Sequence, residues 1–137
     1  MRYLPLLLLL LSSFAQGQEH PANPPVDQLR TVLAPGIELH LDLHDRLVID
    51  RLDEHGLHRR DILALEALDL GLVSQDTLHH RITLACRPEF KHCIRTVYYR
   101  QDMVKNASRI ELPTNGNGGS ERSAISVFTE LSSALED

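Results

Sequence analysis

Residues 78–99, LHHRITLACRPEFKHCIRTVYY, decide the fold because they contain both cysteines of the chain, Cys86 and Cys93. Leucine and isoleucine alternate with polar residues up to Cys86, which predicts a strand over residues 78–86 with one apolar face. Residues 93–100 are rich in β-branched and aromatic side chains and predict a second strand. Pro88 falls in the connection, where its missing N–H leaves no ladder bond unmade. The stretch therefore predicts a β-hairpin with one cysteine on each strand.

The two cysteines predict a structural disulfide. Residues directly opposite each other in an antiparallel pair have Cα atoms about 4.5 or 5.5 Å apart, a separation that a disulfide accepts. Pairing Cys86 with Cys93 sets the register of the hairpin as follows: Leu84 opposite Arg95, Ile82 opposite Val97 and His80 opposite Tyr99. Arg95 then lies on the inner face, which leaves two interpretations. It is an anion-binding residue, or it lies at the rim with its head group in water, and we favour the rim.

The N-terminal residues predict export. Residues 1–17 combine a basic start, an apolar run and small residues before Gln18, which is typical of a secretory signal peptide. The apolar run is shorter than the about 20 residues of a transmembrane helix. Disulfides persist in oxidising compartments, so we expect a periplasmic or extracellular protein. Residues 18–36 hold four of the seven prolines and predict a Pro-rich lead-in, either a linker or a flap, before a single domain at 37–137.

Alternation and turn residues predict the other strands. Residues 37–43 alternate between apolar and polar and predict a half-buried strand, followed by a second strand at 47–52 and a turn at 53–56. Residues 57–68 are ambiguous, and we predict a strand to about Leu63 followed by a helical turn. The polar residues 101–106 predict a loop, 108–112 a last short strand, and 113–119 a flexible loop.

The end of the chain predicts an amphipathic helix over residues 120–135. Its apolar residues fall on one stripe at helical spacing: Ala124, Ile125, Val127, Phe128, Leu131, Ala134 and Leu135. A half-apolar sheet must be covered, and this helix is the cover that the sequence offers. We therefore predict an α+β domain, in which an antiparallel sheet of about five to six strands is covered by one C-terminal helix.

Three stretches carry a resemblance to known proteins. HRRDILALEALD (58–69), ITLACRPEFKHCI (82–94) and the final amphipathic helix look like a family of small, uncharacterised exported bacterial proteins. The order of elements is similar to that of pleckstrin-homology-like domains, in which an antiparallel sheet is capped by a C-terminal helix. The resemblance covers roughly residues 37–135. It implies a binding scaffold and no active site that could be transferred to this chain.

His40, Asp42 and His44 form the one candidate metal site. Residues at i, i+2 and i+4 of a strand share a face, so the three side chains would line one surface and could bind a metal such as zinc. The alternative is the solvated face of an amphipathic strand, which shows the same pattern. We favour the solvated face, because the sequence identifies no partner that would orient the ligands.

Charge excludes one class of function and leaves another open. The formal net charge of −5 argues against a general nucleic-acid-binding protein. Residues 37–80 carry ten acidic and four basic residues, whereas residues 81–109 carry two acidic and seven basic residues. This asymmetry predicts either a basic patch for an anionic partner or pairing between neighbouring strands, and we favour the pairing.

No sequence motif indicates catalysis. The nucleophile elbow, the zinc-protease helix, the P-loop and the dinucleotide-binding glycine pattern are all absent from the sequence. We therefore expect an exported binding or structural module that is not an enzyme and has no cofactor, with a metal-binding protein that uses His40, Asp42 and His44 as the alternative. The expected partner is a protein or a component of the cell envelope.

Overall fold

The chain folds into two antiparallel sheets with helices packed against them. The computed structural model describes residues 24–72, 74–76, 78–115, 126–131 and 133. The helix α1 and the strands β1 to β8 have these bounds: α1 Pro24–Val32, β1 Ile37–Leu41, β2 Arg46–Asp53, β3 Gly56–Ala64, β4 Ser74–Asp76, β5 Arg81–Ala85, β6 Ile94–Tyr98, β7 Met103–Ala107 and β8 Arg109–Pro113. Short 3-10 turns lie at Leu65–Ala67, Leu70–Leu72 and Pro88–Phe90, and residues 126–131 are helical. The predicted α+β class is confirmed.

The chain passes back and forth between the two sheets. The larger sheet has the order β1-β2-β3-β6-β7, and the smaller sheet has the order β4-β5-β8. The chain leaves the larger sheet after β3, builds β4 and β5, returns for β6 and β7, and ends in the smaller sheet with β8. The core is formed by the inward side chains of both sheets, by the apolar stripe of α1 and by Val127, Phe128 and Leu131 of the C-terminal helix.

The predicted hairpin between residues 78–86 and 93–100 is wrong. β5 pairs with β8, so Ile82 lies opposite Leu112 and Leu84 lies opposite Ile110. β6 pairs with β3 and β7, so neither strand of the stretch pairs with the other. Apolar alternation fixes which face of a strand is buried, but β8 satisfies the apolar face of β5 as well as β6 would.

The disulfide is confirmed, and it joins the two sheets. Cys86 follows β5 of the smaller sheet, Cys93 precedes β6 of the larger sheet, and their Cα atoms lie 5.8 Å apart. The backbone N–H of Cys93 also donates to the Cys86 sulfur at 3.2 Å. Closing this short loop stabilises the fold by about 2.5 kcal/mol in the chain-entropy model. The bridge therefore ties one sheet to the other at the point where the chain crosses between them.

One local prediction is confirmed and two are corrected. Residues 57–68 form a strand that ends at Ala64 and continues into a 3-10 turn at Leu65–Ala67, as predicted. The first strand ends at Leu41, and Leu43 is fully exposed in the turn that follows rather than sharing the buried face. The loop predicted at 101–106 is mostly the strand β7, because pairing with β6 holds a polar segment extended.

The lead-in contributes a helix to the core. α1 begins with two prolines. Proline suits the first turn of a helix because the backbone N–H groups of that turn have no partner within the helix, so the missing N–H of proline leaves no bond unmade. Val26, Leu29 and Val32 are buried, and Arg30 donates two hydrogen bonds, at 2.7 and 3.0 Å, to the carbonyl oxygen of Leu39 at the edge of β1. The packed unit therefore includes residues before the predicted start at 37. The predicted signal peptide at 1–17, the loop at 116–119 and the ends of the C-terminal helix lie outside the described residues.

Candidate functional site

The inner face of the larger sheet changes from apolar to charged along β2 and β3. The inward side chains of β2 run Leu47, Ile49 and Arg51. Arg51 lies directly opposite Arg59 of β3, and this places two guanidinium-bearing residues side by side. Like charges on directly opposite residues destabilise a sheet. The pair is therefore kept against the local preference of the sheet, and it requires compensation from other residues.

A register shift lies next to this arginine pair. Arg51 pairs with Arg59 and Leu52 pairs with Leu57, so β3 carries one extra residue, His58, at this point. Bulges of this kind bend a strand and re-aim the neighbouring side chains, and they are over-represented beside functional sites. The backbone carbonyl of His58 accepts a hydrogen bond from the N–H of Tyr99 at 3.1 Å, so the bulge is anchored.

Asp61 supplies the compensating charge beneath the two arginines. Its side chain is fully buried. The Thr96 hydroxyl donates to Asp61 Oδ1 at 2.5 Å, and Arg59 donates to the same oxygen at 3.2 and 3.3 Å. Arg59 also lies over the ring of Tyr98, with 5.4 Å between the guanidinium carbon and the ring centroid. Asp61 and Arg59 are therefore held in fixed positions by their neighbours.

Arg51 is held less completely by Asp61. Arg51 Nε lies 3.7 Å from Asp61 Oδ2, which is too long for a hydrogen bond, and both atoms are buried without a hydrogen-bond partner among the described residues. Burial, followed by the charge of Arg59, lowers the pKa of the Arg51 guanidinium. Arginine nevertheless stays charged in proteins. One carboxylate therefore serves two partly desolvated cations.

The smaller sheet provides a second pair of arginines. Arg81 of β5 donates to Glu111 Oε2 at 2.8 Å, and Arg109 Nη2 lies 3.6 Å from Glu111 Oε1. The two sheets meet here, because Arg51 Nη2 donates to the backbone carbonyl of Glu111 at 2.7 Å. The side chains of Arg81, Arg109 and Glu111 are all more than 40% exposed, at 43%, 65% and 44%. This wall of the site faces water, whereas the Asp61 wall does not.

The four arginines line one cleft. Its volume is about 470 Å³, and its walls carry Arg51 and Arg59 from the larger sheet, Arg81, Arg109 and Glu111 from the smaller one, and apolar surface from Ile110 and Pro113. Within the described part of the chain, four guanidinium groups meet two carboxylates, those of Glu111 and the underlying Asp61. The cleft therefore has an excess of two positive charges, although the whole chain carries −5. Guanidinium groups bind carboxylates and phosphates with paired, charge-assisted hydrogen bonds.

Arg95, the residue that the sequence left open as an anion-binding candidate, lies outside the cleft. It is an exposed residue of β6 and pairs with Ile62 of β3 and Asn106 of β7. The predicted position beside Leu84 on the inner face is wrong, because that position required β5 and β6 to be neighbours. The inward residues of β6 are Ile94 and Thr96, and both are buried.

The structure does not bring the metal candidates His40, Asp42 and His44 together on one strand face. Asp42 follows the end of β1, and its side chain accepts hydrogen bonds from the backbone of His44 at 2.8 Å and from the backbone and side chain of Arg46 at 2.9 and 2.7 Å. Although desolvation acts to raise the pKa of Asp42, the hydrogen bonds from Arg46 and His44 lower it overall. Across the described ranges, no group of three or more His, Cys, Asp or Glu residues could hold a metal ion.

The sequence analysis did not identify the cleft residues, although the positions of three of them in the predicted strands are unusual. Arg51, Arg59 and Asp61 occupy inward positions of two strands that are joined by a predicted turn, and a charged residue at such a position is unusual. Arg81 and Glu111 could not be placed, since the second sheet was not predicted.

Within the described residues, no helix is both long and apolar enough to cross a membrane.

Comparison of the chain with known proteins found no relative. The chain matches no protein-family model, no curated protein and no solved structure, so the resemblances drawn from the sequence stay predictions.

Proposed function

We propose that this protein is an exported binding module that holds an anionic ligand in the cleft between its two sheets. The observation that carries the proposal is the charge of the cleft, in which Arg51, Arg59, Arg81 and Arg109 meet two carboxylates among the residues that the structure describes. Fixed cations on low-dielectric walls concentrate anions in a cleft, even in a protein of opposite net charge.

The arrangement of the arginines supports ligand binding over a purely internal charge network. Outside the cleft, several arginines each pair with one acid, as Arg60 does with Asp50 and Arg100 does with Asp53. The pair between Arg100 and Asp53 joins the basic segment 81–109 to the acidic segment 37–80, so it fits the internal pairing that the charge asymmetry predicts. The cleft departs from it, because Arg51 and Arg59 lie opposite each other and share Asp61.

Export of the protein is the second part of the proposal. The disulfide between Cys86 and Cys93 supports an oxidising compartment, and the N-terminal residues support a secretory signal. The proposal is for binding, since the described lining of the cleft consists of four arginines, Glu111, Ile110 and Pro113, a set suited to holding an anion. A small anion, or an anionic group of an envelope component, is the ligand class that this cleft fits.

Calorimetry with inorganic phosphate tests the proposal. We expect saturable binding to the wild-type protein, which weakens as sodium chloride is raised because charges at an open cleft are screened. Arg81→Gln and Arg109→Gln each remove one charge-assisted hydrogen bond to the anion, so each weakens binding by about tenfold.

Arg95→Gln is the matched control. It removes the same charge from the exposed face of β6, away from the cleft, and leaves phosphate binding unchanged. Equal loss in all three variants would show a general charge effect, and no binding to the wild type by any small oxyanion would end the proposal.

A further inference from the structure

The two carboxylates of the cleft differ in how firmly they are held. Asp61 is fully buried and receives hydrogen bonds from Thr96 and Arg59. Glu111 has a 44% exposed side chain and contacts Arg81 and Arg109, which are also exposed. An exposed ion pair contributes little to stability, whereas an uncompensated buried charge is strongly destabilising. Glu111 can therefore release its partners at little cost, and Asp61 cannot.

The side chain of Glu111 can move, whereas its backbone is held in β8. Its residue is fixed in β8 opposite Thr83, and its backbone carbonyl accepts the hydrogen bond from Arg51 at 2.7 Å. When the carboxylate rotates into water, β8 and the wall of the cleft stay in place. Arg81 and Arg109, which flank Glu111 in the pairing of β5 with β8, are then left without their shared acid.

We infer that the Glu111 carboxylate occupies the place of the ligand and is displaced when the ligand binds. This inference rests on the anion-binding function proposed above. It makes Glu111 a specificity-determining residue. A ligand with a single negative charge only exchanges one carboxylate for another at Arg81 and Arg109, so it gains little.

A dianionic oxyanion gains more than a monoanion. The cleft has an excess of two positive charges while Glu111 is in place, and a phosphate group near neutral pH carries up to two negative charges and three acceptor oxygens. Such a group can contact Arg81 and Arg109 with some oxygens and Arg51 with another. The ligand class is therefore a phosphate dianion, either free inorganic phosphate or the terminal group of a phosphate ester.

Calorimetric titration of wild-type protein and Glu111→Gln tests the inference. The probes are inorganic phosphate, glycerol 3-phosphate and acetate at pH 7.5. Removing a carboxylate about 6 Å from a dianion in water-like surroundings removes a repulsion worth about three- to tenfold in affinity. We expect Glu111→Gln to bind both phosphates tighter by this factor, and the wild type to prefer them to acetate. A preference between the two phosphates identifies the source of the group.

Glu38→Gln is the matched control, since Glu38 is an exposed acid on the edge strand β1, where it pairs with Asp50. It removes the same charge from the chain and leaves the affinity for phosphate within twofold of wild type. Tightening in Glu111→Gln alone supports the inference. Unchanged or weaker binding in Glu111→Gln, while the wild type still binds phosphate, overturns the inference and leaves the anion-binding function standing. No binding of any probe to either protein overturns both.

Discussion

Replacing Asp61 with asparagine tests whether its charge holds the cleft together. Asparagine has nearly the same shape, and its oxygen can still accept from Thr96 and Arg59. Its amide nitrogen, however, would face Arg51, and both groups are hydrogen-bond donors. Arg51 and Arg59 would also lose the negative charge that they share in the wild type. The change therefore isolates the charge of Asp61 and leaves the packing in place.

The magnitude follows from burial. Breaking a buried ion pair by removing one partner costs about 3–5 kcal/mol. The side chains of Arg51 and Arg59 keep 17% and 21% exposure, so they recover part of their hydration and the cost falls at the lower end, about 3 kcal/mol. With a urea m-value of about 1.5 kcal/mol/M for a chain of this size, the unfolding midpoint decreases by about 2 M.

Urea unfolding followed by circular dichroism measures the effect, with Asp50→Asn as the comparison. Asp50 also accepts two hydrogen bonds from one arginine, at 2.6 and 2.9 Å, but Arg60 is 34% exposed on the outer face of the sheet. The side chain of Asp50 is itself only 10% exposed, but its partner Arg60 can return to water, so we expect Asp50→Asn to lose about 1.5 kcal/mol. Phosphate should stabilise Asp61→Asn more than Asp50→Asn, because both variants keep the cleft but the cleft of Asp61→Asn has one more uncompensated positive charge. A loss in Asp61→Asn no larger than in Asp50→Asn would refute the reasoning.

Other predictions concern the disulfide, the glycines of two turns and the surface charges. Replacing Cys86 and Cys93 together with alanine lowers the free energy of unfolding by about 2.5 kcal/mol, and a urea titration that shows a loss under 1 kcal/mol would contradict this. Gly36→Ala is more destabilising than Gly56→Ala in the same assay: both glycines have positive φ, but an added Cβ at Gly36 would lie 2.6 Å from the Leu52 carbonyl oxygen, whereas nothing lies within 4 Å at Gly56. The side-chain hydrogen bond from Arg100, with one from the backbone of His55, lowers the pKa of Asp53. The stability from Asp53 is therefore present above its unfolded pKa of about 3.9 and is lost as the pH falls below it. The melting temperatures of wild type and Asp53→Asn should differ at pH 7 and converge toward pH 2, and a constant difference would be evidence against the pairing.

Local chemistry made most of the elements predictable. The strand and helical turn at residues 57–68 follow from alternation that gives way to helix-forming residues. Val127, Phe128 and Leu131 fall on the buried face of the C-terminal helix because their spacing is helical. These features depend on contacts within a few residues, which the sequence displays directly.

Strand pairing could not be predicted in the same way. Ile82 and Leu84 require an apolar partner strand, and β8, which supplies Ile110 and Leu112, meets that need as well as any other strand. The short spacing of the cysteines favoured a hairpin, but a disulfide needs only two close Cα atoms and not a shared ladder. The cleft was missed for the same reason, since it forms only where the two sheets meet.

The most direct test of the central claim locates a bound anion on the protein. Proton–nitrogen spectra of the arginine Nε–H groups, recorded during titration with inorganic phosphate at 0.15 M sodium chloride, report each guanidinium separately. We expect saturable shifts at Arg51, Arg59, Arg81 and Arg109, with one common affinity, and no shift at Arg95. Shifts of equal size at Arg95 and at the cleft arginines, or no saturable shift at all, would contradict an anion-binding cleft.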